Sequence, residues 1–344
     1  MRGEGAVAIK TSIKDIAKQA NVSVSTVSRV LNNSKYVSEE LKERVLEIVK
    51  ETGFKPNLLA KGLVNKKTNL IGILIPRIAN DFFSALIEGV EEVAQTYGYN
   101  ILLSTSYNDI QREIEYLNIF EDRQLDGIIF SVTEFTEEHR AFFERTALPT
   151  VFIGQKLDNQ NKYPYVTIDN VKASYEATKY LINQNHEKIA ILAGPESDMA
   201  TGTYRLQGYT EALEEAGLVP NPLWQSKRFH TIEDGYLATS QIMSQKDKPT
   251  AIFACSDLQA LGAINYLQEH GYKVPEDISV MGFDDVDLAS IFRPKLTTIK
   301  QNPVDIGATA MRLLIDQMRK IDIQSKENLI PYRLVVRDST KKYR

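Results

Sequence analysis

A chain of 344 residues, 43% hydrophobic and 25% charged, has the composition of an ordinary soluble folded protein and is too long for one core, so two or three domains are expected. Its net charge of −4 hides an uneven distribution, because residues 1–67 hold 13 Lys or Arg against 7 Asp or Glu, leaving 28 against 38 for the rest. No apolar run approaches the roughly 18 residues of a membrane span. The first ten residues lack a signal-peptide core and the single Cys255 excludes an intramolecular disulfide, so a cytoplasmic location is expected.

Residues 1–10 are expected to form a disordered extension. From Ser12 to Leu31, apolar residues recur every three to four positions at Ile13, Ile16, Ala17 and Ala20, then at Val22, Val27, Val30 and Leu31, around a break at Asn21-Val22-Ser23. That is the period of two amphipathic helices joined by a tight turn. The second would bury Val27, Val30 and Leu31 and expose Val24, Ser25, Thr26, Ser28 and Arg29. Small polar groups, one methyl-bearing side chain and one Arg suit a helix whose N-terminal end enters the major groove of DNA. Ser23 is placed to cap it and to leave backbone N–H groups for a phosphate. A third helix starts at Ser38 and runs to about Thr52, with Gly53 as its stop, completing a small all-α head over residues 11–54. Residues 55–68, with Pro56, Gly62 and Lys66-Lys67, read as a linker containing one short helical segment. A basic head on an acidic body fits a DNA-binding module joined to a sensor domain.

From Asn69 onward, apolar runs such as Leu70–Ile75, Gly127–Phe130, Lys188–Leu192 and Ser279–Phe283 alternate with amphipathic segments near residues 82–97, 110–123 and 137–146. The alternation predicts an α/β core of two doubly wound parallel-sheet lobes. Ligands of such lobes bind at the carboxyl ends of the strands, so a cleft is expected there.

Enzyme signatures are missing: no GxxxxGK[ST] loop, no GxGxxG after a strand, no HExxH and no CxxC occurs. His139, His186, His230 and His270 are far apart and are expected to be surface or lightly packed side chains. Cys255, in an apolar run, is expected to be buried and inert. Neither catalysis nor a metal or cofactor is expected. Polar residues do collect at strand ends, at Asn80-Asp81, Asp169, Arg205, Ser256-Asp257 and Asp284-Asp285. A sugar requires paired donors and acceptors around its hydroxyls and an aromatic face against its ring. Arg205 with Asp284 meets the first need, and Phe82 or Phe83 the second.

The run from Ile13 to Asn33 resembles the DNA-binding head of the LacI/GalR family of bacterial transcription regulators. Lys55-Pro56-Asn57-Leu58-Leu59-Ala60-Lys61-Gly62-Leu63 resembles the family's hinge, and the rest its sugar-sensing, periplasmic-binding-protein-like core, so the likeness runs from about residue 10 to about residue 340. It implies that Val24 and Ser25 are variable base readers, that Arg29 is a further base contact, and that Ser12, Ser23, Thr26 and Asn32 position phosphates. Ser28, Asn57 and Ala60 would also lie at the DNA, and Leu63 would wedge into a minor-groove step and kink the duplex. Arg205, Asp284, Asp169, Ser256 and Gln301 fall where members commonly contact the effector. His230 stands where many carry an aromatic residue, and Ser256 where Asn is frequent.

The resemblance further implies an N-lobe of about residues 69–167 and 300–328, and a C-lobe of about 169–298 and 329–340, joined by three crossings. It implies a repressor of carbohydrate-utilisation genes acting as a homodimer on a pseudo-palindromic operator, with a sugar or sugar phosphate in the cleft as effector. Dimer contacts are expected on the helix from about Phe82 to Tyr97 and on its counterpart in the second lobe, and the tail Asp338–Arg344 offers no heptad helix for a tetramer. One branch of the family, the catabolite-control regulators of Gram-positive bacteria, responds instead to a serine-phosphorylated phosphocarrier protein docked on the N-lobe. Tyr97-Gly98-Tyr99 and the segment around Arg312 look similar to that branch, and Arg312 suits a phosphoserine. Asp316, one turn from Arg312, and the retained Arg205 favour the sugar effector. A periplasmic sugar-binding protein would need an export signal and no head; a doubly wound enzyme would need catalytic groups that the sequence does not display.

Overall fold

Two units make up the chain, Met1–Thr68 and Asn69–Arg344. The computed structural model describes residues 11–31, 37–54, 67–79, 81–155 and 163–344. Asn32, Asn57, Ala60, Leu63 and the expected N-terminal extension lie outside the described residues, as does nearly all of the expected hinge.

In the first unit, α1 (Ile13–Gln19) opens with a capping box. The Asp15 carboxylate accepts from the Ser12 backbone N–H (2.8 Å) and from the Ser12 hydroxyl (2.7 Å), while Asp15 N–H points back to Ser12 Oγ. Asn21 turns the chain with φ of 51°, a left-handed conformation that Asn tolerates, and α2 (Val24–Leu31) follows. The third helix, α3 (Glu39–Thr52), stops at Gly53, whose φ is 62°. Ile16, Ala17, Ala20, Val27, Val30 and Val45 form the core of this unit. Leu31, expected inside, is half-buried.

The second unit opens with β1 (Leu70–Ile75), α4 (Asp81–Thr96), β2 (Asn100–Thr105), α5 (Ile110–Asp122), β3 (Gly127–Phe130), α6 (Glu137–Arg145), β4 (Thr150–Ile153) and β5 (Tyr165–Thr167). The chain then builds α7 (Asn170–Asn183), β6 (Ile189–Ala193), a π-helix at Met199–Tyr204, α8 (Arg205–Glu215), β7 (Gln225–Lys227) and α9 (Ile232–Met243). Next come β8 (Ala251–Ala254), α10 (Asp257–Glu269), β9 (Ser279–Asp284), α11 (Asp287–Ile291) and β10 (Thr297–Lys300). It closes with α12 (Pro303–Met318), β11 (Glu327–Leu329) and β12 (Arg333–Val335). One six-stranded sheet runs β11-β5-β4-β3-β1-β2 and the other β12-β10-β9-β8-β6-β7. The paired strands are parallel except for β12, which lies antiparallel on β10 at an edge. The chain passes between the sheets after β5, between β10 and α12, and between β11 and β12.

Burial on both faces explains the strand sequences: β1, LIGILI, is buried at five of six positions, as a parallel strand between helices must be. The three-residue strands β7, β11 and β12 carry no such run, and all three sit at edges with a single neighbour. Helices α4 and α12 lie in backbone contact, made possible by glycine on both sides: a Cβ on Gly89 would fall 2.0 Å from the Val304 carbonyl oxygen, and one on Gly307 would fall 2.0 Å from that of Leu86. Gly89→Ala is therefore expected to lower unfolding free energy in urea by at least the 1–3 kcal/mol typical of overpacking, because the obstructing atom is backbone and cannot swing aside.

The expectation of surface histidines is corrected for two of the four. His139 is fully buried with Nε2 3.0 Å from the Glu113 carboxylate, and His186 is buried between Thr250 Oγ1 (2.9 Å) and the Lys341 carbonyl (3.1 Å). Each is buried because it has found a polar partner, which local sequence does not reveal. Among the described residues, no helix is long and apolar enough to cross a membrane.

Candidate functional site

The carboxyl ends of the two sheets enclose a cavity of about 270 Å³. Arg77, Phe82 and Phe83 reach it from beyond β1, Tyr107 and Asn108 from β2, Thr133 from β3, and Gln155 from β4. Facing them are Asp198 and Thr201 after β6, Phe229 and His230 after β7, Ser256 after β8, Asp284 at the end of β9 and Gln301 after β10. Parallel strands all deliver their next residues to this edge, which is why side chains far apart in sequence meet.

Arg205 organises the floor. Its Nε donates to Asn170 Oδ1 at 2.9 Å and its Nη1 to the Cys255 carbonyl at 2.5 Å, with the guanidinium carbon 3.5 Å from the centroid of the Phe283 ring. The Asp284 carboxylate lies 4.0 Å from Nη1 and accepts from Gln301 Nε2 at 2.7 Å. Asp284 has φ of 122° and Asp285 φ of 61°, so the strand end is bent sharply to aim one carboxylate inward. The other is turned away, held by Arg337 (2.5 Å) and Lys300 (3.3 Å). Burial raises the Asp284 pKa, against which the Arg205 charge and the Gln301 hydrogen bond act. Beneath it, buried Asp257 accepts from Thr298 Oγ1 (2.6 Å) and Val286 N–H (2.9 Å), and burial with the nearby Asp284 charge raises its pKa well above the carboxylate range.

From the same sheet, Asp198 caps the π-helix through Thr201 N–H (3.0 Å) and lies 3.4 Å from His230 Nε2, which is also 2.9 Å from Thr201 Oγ1. Burial opposes ionisation of Asp198, but the His230 hydrogen bond and charge hold its pKa below the usual value. Phe82 and Phe83 meet edge to face with centroids 5.4 Å apart. Cys255 is buried and its thiol is pushed up to about 12, chiefly by that burial. The native protein is therefore expected to resist iodoacetamide at about pH 8 and to take up one equivalent only after unfolding.

Of the effector residues expected from sequence, Phe82, Phe83, Arg205, His230, Ser256, Asp284 and Gln301 line this cavity. Asp169 does not: its carboxylate turns back to accept from Lys172 N–H (2.9 Å) as the N-cap of α7, and it faces a separate recess. Its neighbour Asn170, buried, enters the cavity instead and holds Arg205. The sequence reading does not single out Asn170, Gln155, Asp198 or Thr201; the usable signal is only that they fall in or near the connection following a strand. Among the described residues, no group of His, Cys, Asp or Glu is arranged to hold a metal ion.

In the first unit, α2 presents Val24, 41% exposed, together with exposed Ser25 and Arg29; Thr26 and Ser28 are half-buried. Ser23 Oγ accepts from Thr26 N–H (3.1 Å) and lies 2.7–2.8 Å from the hydroxyls of Ser25 and Thr26, so the helix starts in a cluster of hydroxyl groups. Ser12 has its hydroxyl proton committed to Asp15. Tyr97 and Arg312 are exposed and Tyr99 is half-buried; the Arg319 guanidinium lies 4.8 Å over the Tyr97 ring.

Residues 12–57 match the model of bacterial regulatory proteins of the lacI family, and residues 178–340 that of the periplasmic binding protein-like domain. Catabolite control protein A of Priestia megaterium is 37% identical over 97% of this chain and 100% of its own. The chain belongs to the LacI family. The transcriptional repressor CytR of Escherichia coli K12 is 35% identical over 96% of both chains. Among solved structures, the lac repressor dimer bound to operator and the anti-inducer ONPF matches with a TM-score of 0.86 at 26% identity, covering 96% of this chain and 99% of that one. A complex of the regulator CelR with cellobiose matches with a TM-score of 0.74 at 29% identity over 96% and 99%. This LacI-family chain is a DNA-binding transcriptional regulator of the catabolite and sugar type, with α1 and α2 as its helix-turn-helix, and its relatives are regulators rather than enzymes.

Proposed function

We propose that the protein is a homodimeric repressor of carbohydrate-utilisation genes whose affinity for a pseudo-palindromic operator is set by a sugar or sugar phosphate in the interlobe cleft. The observation that carries this reading is the Arg205, Asp284 and Gln301 group: a fixed guanidinium and a carboxylate 4.0 Å apart, beside the Phe82 and Phe83 rings. A hydroxyl between them would donate to the carboxylate and accept from the guanidinium, while an aromatic face takes the C–H side of the ring. A ligand touching both lobes favours one arrangement of the lobes, and the three crossings allow that choice to be transmitted to the dimer and its heads. The exposed side of α4 is the proposed dimer face. The test is thermal melting of the full chain against D-ribose, D-glucose, cellobiose and glucose 6-phosphate. A ligand at about 100 times its dissociation constant adds roughly 2.7 kcal/mol of stability; no shift with any of them counts against a sugar effector.

On the DNA side, Val24, Ser25 and Arg29 are proposed to read bases and Ser23, Thr26 and Ser28 to lie near the backbone, with Ser12 contributing through its lone pairs and cap geometry. Arg29→Ala is expected to weaken binding to the specific operator by about 1–3 kcal/mol while leaving nonspecific binding nearly unchanged, measured by fluorescence anisotropy at fixed salt.

A second reading draws on the 37% identity to catabolite control protein A: a serine-phosphorylated phosphocarrier protein docking near Tyr97, Tyr99 and Arg312. Exposed Arg312 supports it, and Asp316 on the next turn opposes it. Loss of a phosphoprotein-dependent gain in operator affinity in Arg312→Ala would put this reading first.

A further inference from the structure

Asp257, the first residue of α10, is fully buried, yet among the described residues no Lys, Arg or His stands within ion-pair distance of it. Its neighbours are better served: Asp284 faces Arg205, and Asp285 faces Arg337 and Lys300. Burial and the Asp284 charge both work against ionisation of Asp257. A carboxyl in such surroundings costs more than an apolar side chain of the same size, so its contacts are the place to look for a role.

Those contacts surround one bend. Oδ2 accepts from Val286 N–H at 2.9 Å, directly after Asp284 and Asp285. The φ values of that pair, 122° and 61°, are ones that non-glycine residues keep only when their surroundings fix them. Oδ1 accepts from Thr298 Oγ1 at 2.6 Å. Thr298 on β10 is paired with Gly282 on β9, and a Cβ on Gly282 would fall 2.2 Å from the same Oδ1, so glycine admits the carboxyl to that rung of the sheet. Gln301, three residues beyond Thr298, donates to Asp284 Oδ1. One side chain thus ties the first turn of α10 to the two strands that carry Asp284 and Gln301 to the cavity.

We infer that Asp257 is a positioning residue of the cleft: by holding Val286 N–H and Thr298 Oγ1 it fixes the bend that aims the Asp284 carboxylate at Arg205 and Gln301. It does not itself line the cavity, so its effect on a ligand passes through Asp284. Without it, the strained pair at residues 284 and 285 relaxes toward negative φ, and the inward carboxylate turns from the guanidinium that now lies 4.0 Å away. The assignment rests on the cleft being the effector site, with Asp284 as one of its contacts.

The test is a double-mutant cycle on the full-length protein, read by calorimetric titration with whichever of the four sugars named above raises the wild-type melting temperature most. Asp257→Ala is expected to weaken binding by at least about tenfold. Asp257→Asn should stay close to wild type, because its amide keeps an oxygen for Val286 N–H and a donor for Thr298 Oγ1. In an Asp284→Ala background, which binds more weakly and has no carboxylate left to aim, adding Asp257→Ala should change affinity by less than about twofold. General damage to the fold would weaken binding equally in both backgrounds. That result, wild-type affinity in Asp257→Ala, or no rescue by Asn would each overturn the inference while the effector reading stands. If none of the sugars stabilises the wild type, both fall. Should Asp257→Ala fail to fold, Gly282→Ala, which pushes the carboxyl from its place, and Thr298→Val, which removes one of its partners, go through the same cycle. Each should then weaken binding only where the Asp284 carboxylate is present.

Discussion

Arg205→Ala is expected to lower the unfolding free energy by about 3–5 kcal/mol and to abolish any ligand-dependent melting shift, because it strips a counter-charge from a buried carboxylate. The side chain is 4% exposed, and its removal leaves Asn170 Oδ1 and the Cys255 carbonyl without their donor and Asp284 without its counter-charge. The loss also depends on pH in a definite direction. Burial raises the Asp284 pKa and Arg205 opposes the rise, so without Arg205 the folded-state value climbs further above that of the unfolded chain. Folding then disfavours the ionised form. The penalty is absent below the unfolded carboxylate pKa of about 4 and grows as pH rises toward the folded value. The gap between wild type and variant in urea melts should therefore be smaller at about pH 4 than at about pH 7. Arg205→Lys separates recognition from stability: the charge survives, but the fork to two acceptors and the stacking on Phe283 do not. It should fold with a smaller loss and still show no ligand shift.

The second large effect lies behind the other wall of the cleft. Glu113 and His139 are both buried, the pair is 3.0 Å apart, and Ser106 Oγ donates to the second Glu113 oxygen at 3.0 Å. Thr136 N–H donates to His139 Nδ1 at 3.2 Å, so each end of the pair is tied to backbone or hydroxyl groups. Glu113→Ala leaves the imidazole Nε2 and the Ser106 hydroxyl proton without their acceptor in a site lined by Phe130 and Phe135, and about 3–5 kcal/mol of stability should go with it. At about 2–4 °C per kcal/mol for a unit of this size, the melting temperature should fall by roughly 10 °C. Ser106 directly precedes Tyr107 and Asn108, which line the cavity with φ of 57° and 61°, so ligand affinity should weaken as well. A stability change below about 1 kcal/mol would mean that the pair is solvated and replaceable.

The elements legible in the sequence were those whose residues repeat a physical constraint many times. Helices α1 to α3 declare themselves by apolar spacing, with Ser12, Ser38 and Gly53 at their boundaries, and strands such as β1 by unbroken apolar runs that only burial on both faces permits. Three-residue strands at β7, β11 and β12 repeat nothing. Their pairing is decided by neighbours supplied from far along the chain, including the reversal of β12 against β10. The same distinction governs the site. Arg205 and Asp284 stood out as charges beside apolar segments, whereas Asn170, Gln155 and Asp198 look like any loop polar residue until the sheets converge. Asp169 and Asn170 show the limit of resolution: both follow β5, and which one enters the cavity depends on which side chain caps α7. His139 and His186 were misplaced for a related reason, since the partners that permit their burial, Glu113 and Thr250, are 26 and 64 positions away.

The measurement that bears most directly on regulated DNA binding is operator affinity with and without a bound cleft ligand. An operator duplex selected from a random pool would be titrated with the wild type and with Arg205→Lys by fluorescence anisotropy at one salt concentration, each with and without the sugar that shifts the wild-type melting temperature. The account predicts a change of at least about tenfold for the wild type, equivalent to about 1.4 kcal/mol of coupling, and none for the variant. Wild-type affinity unmoved by a sugar that demonstrably occupies the cleft would contradict it.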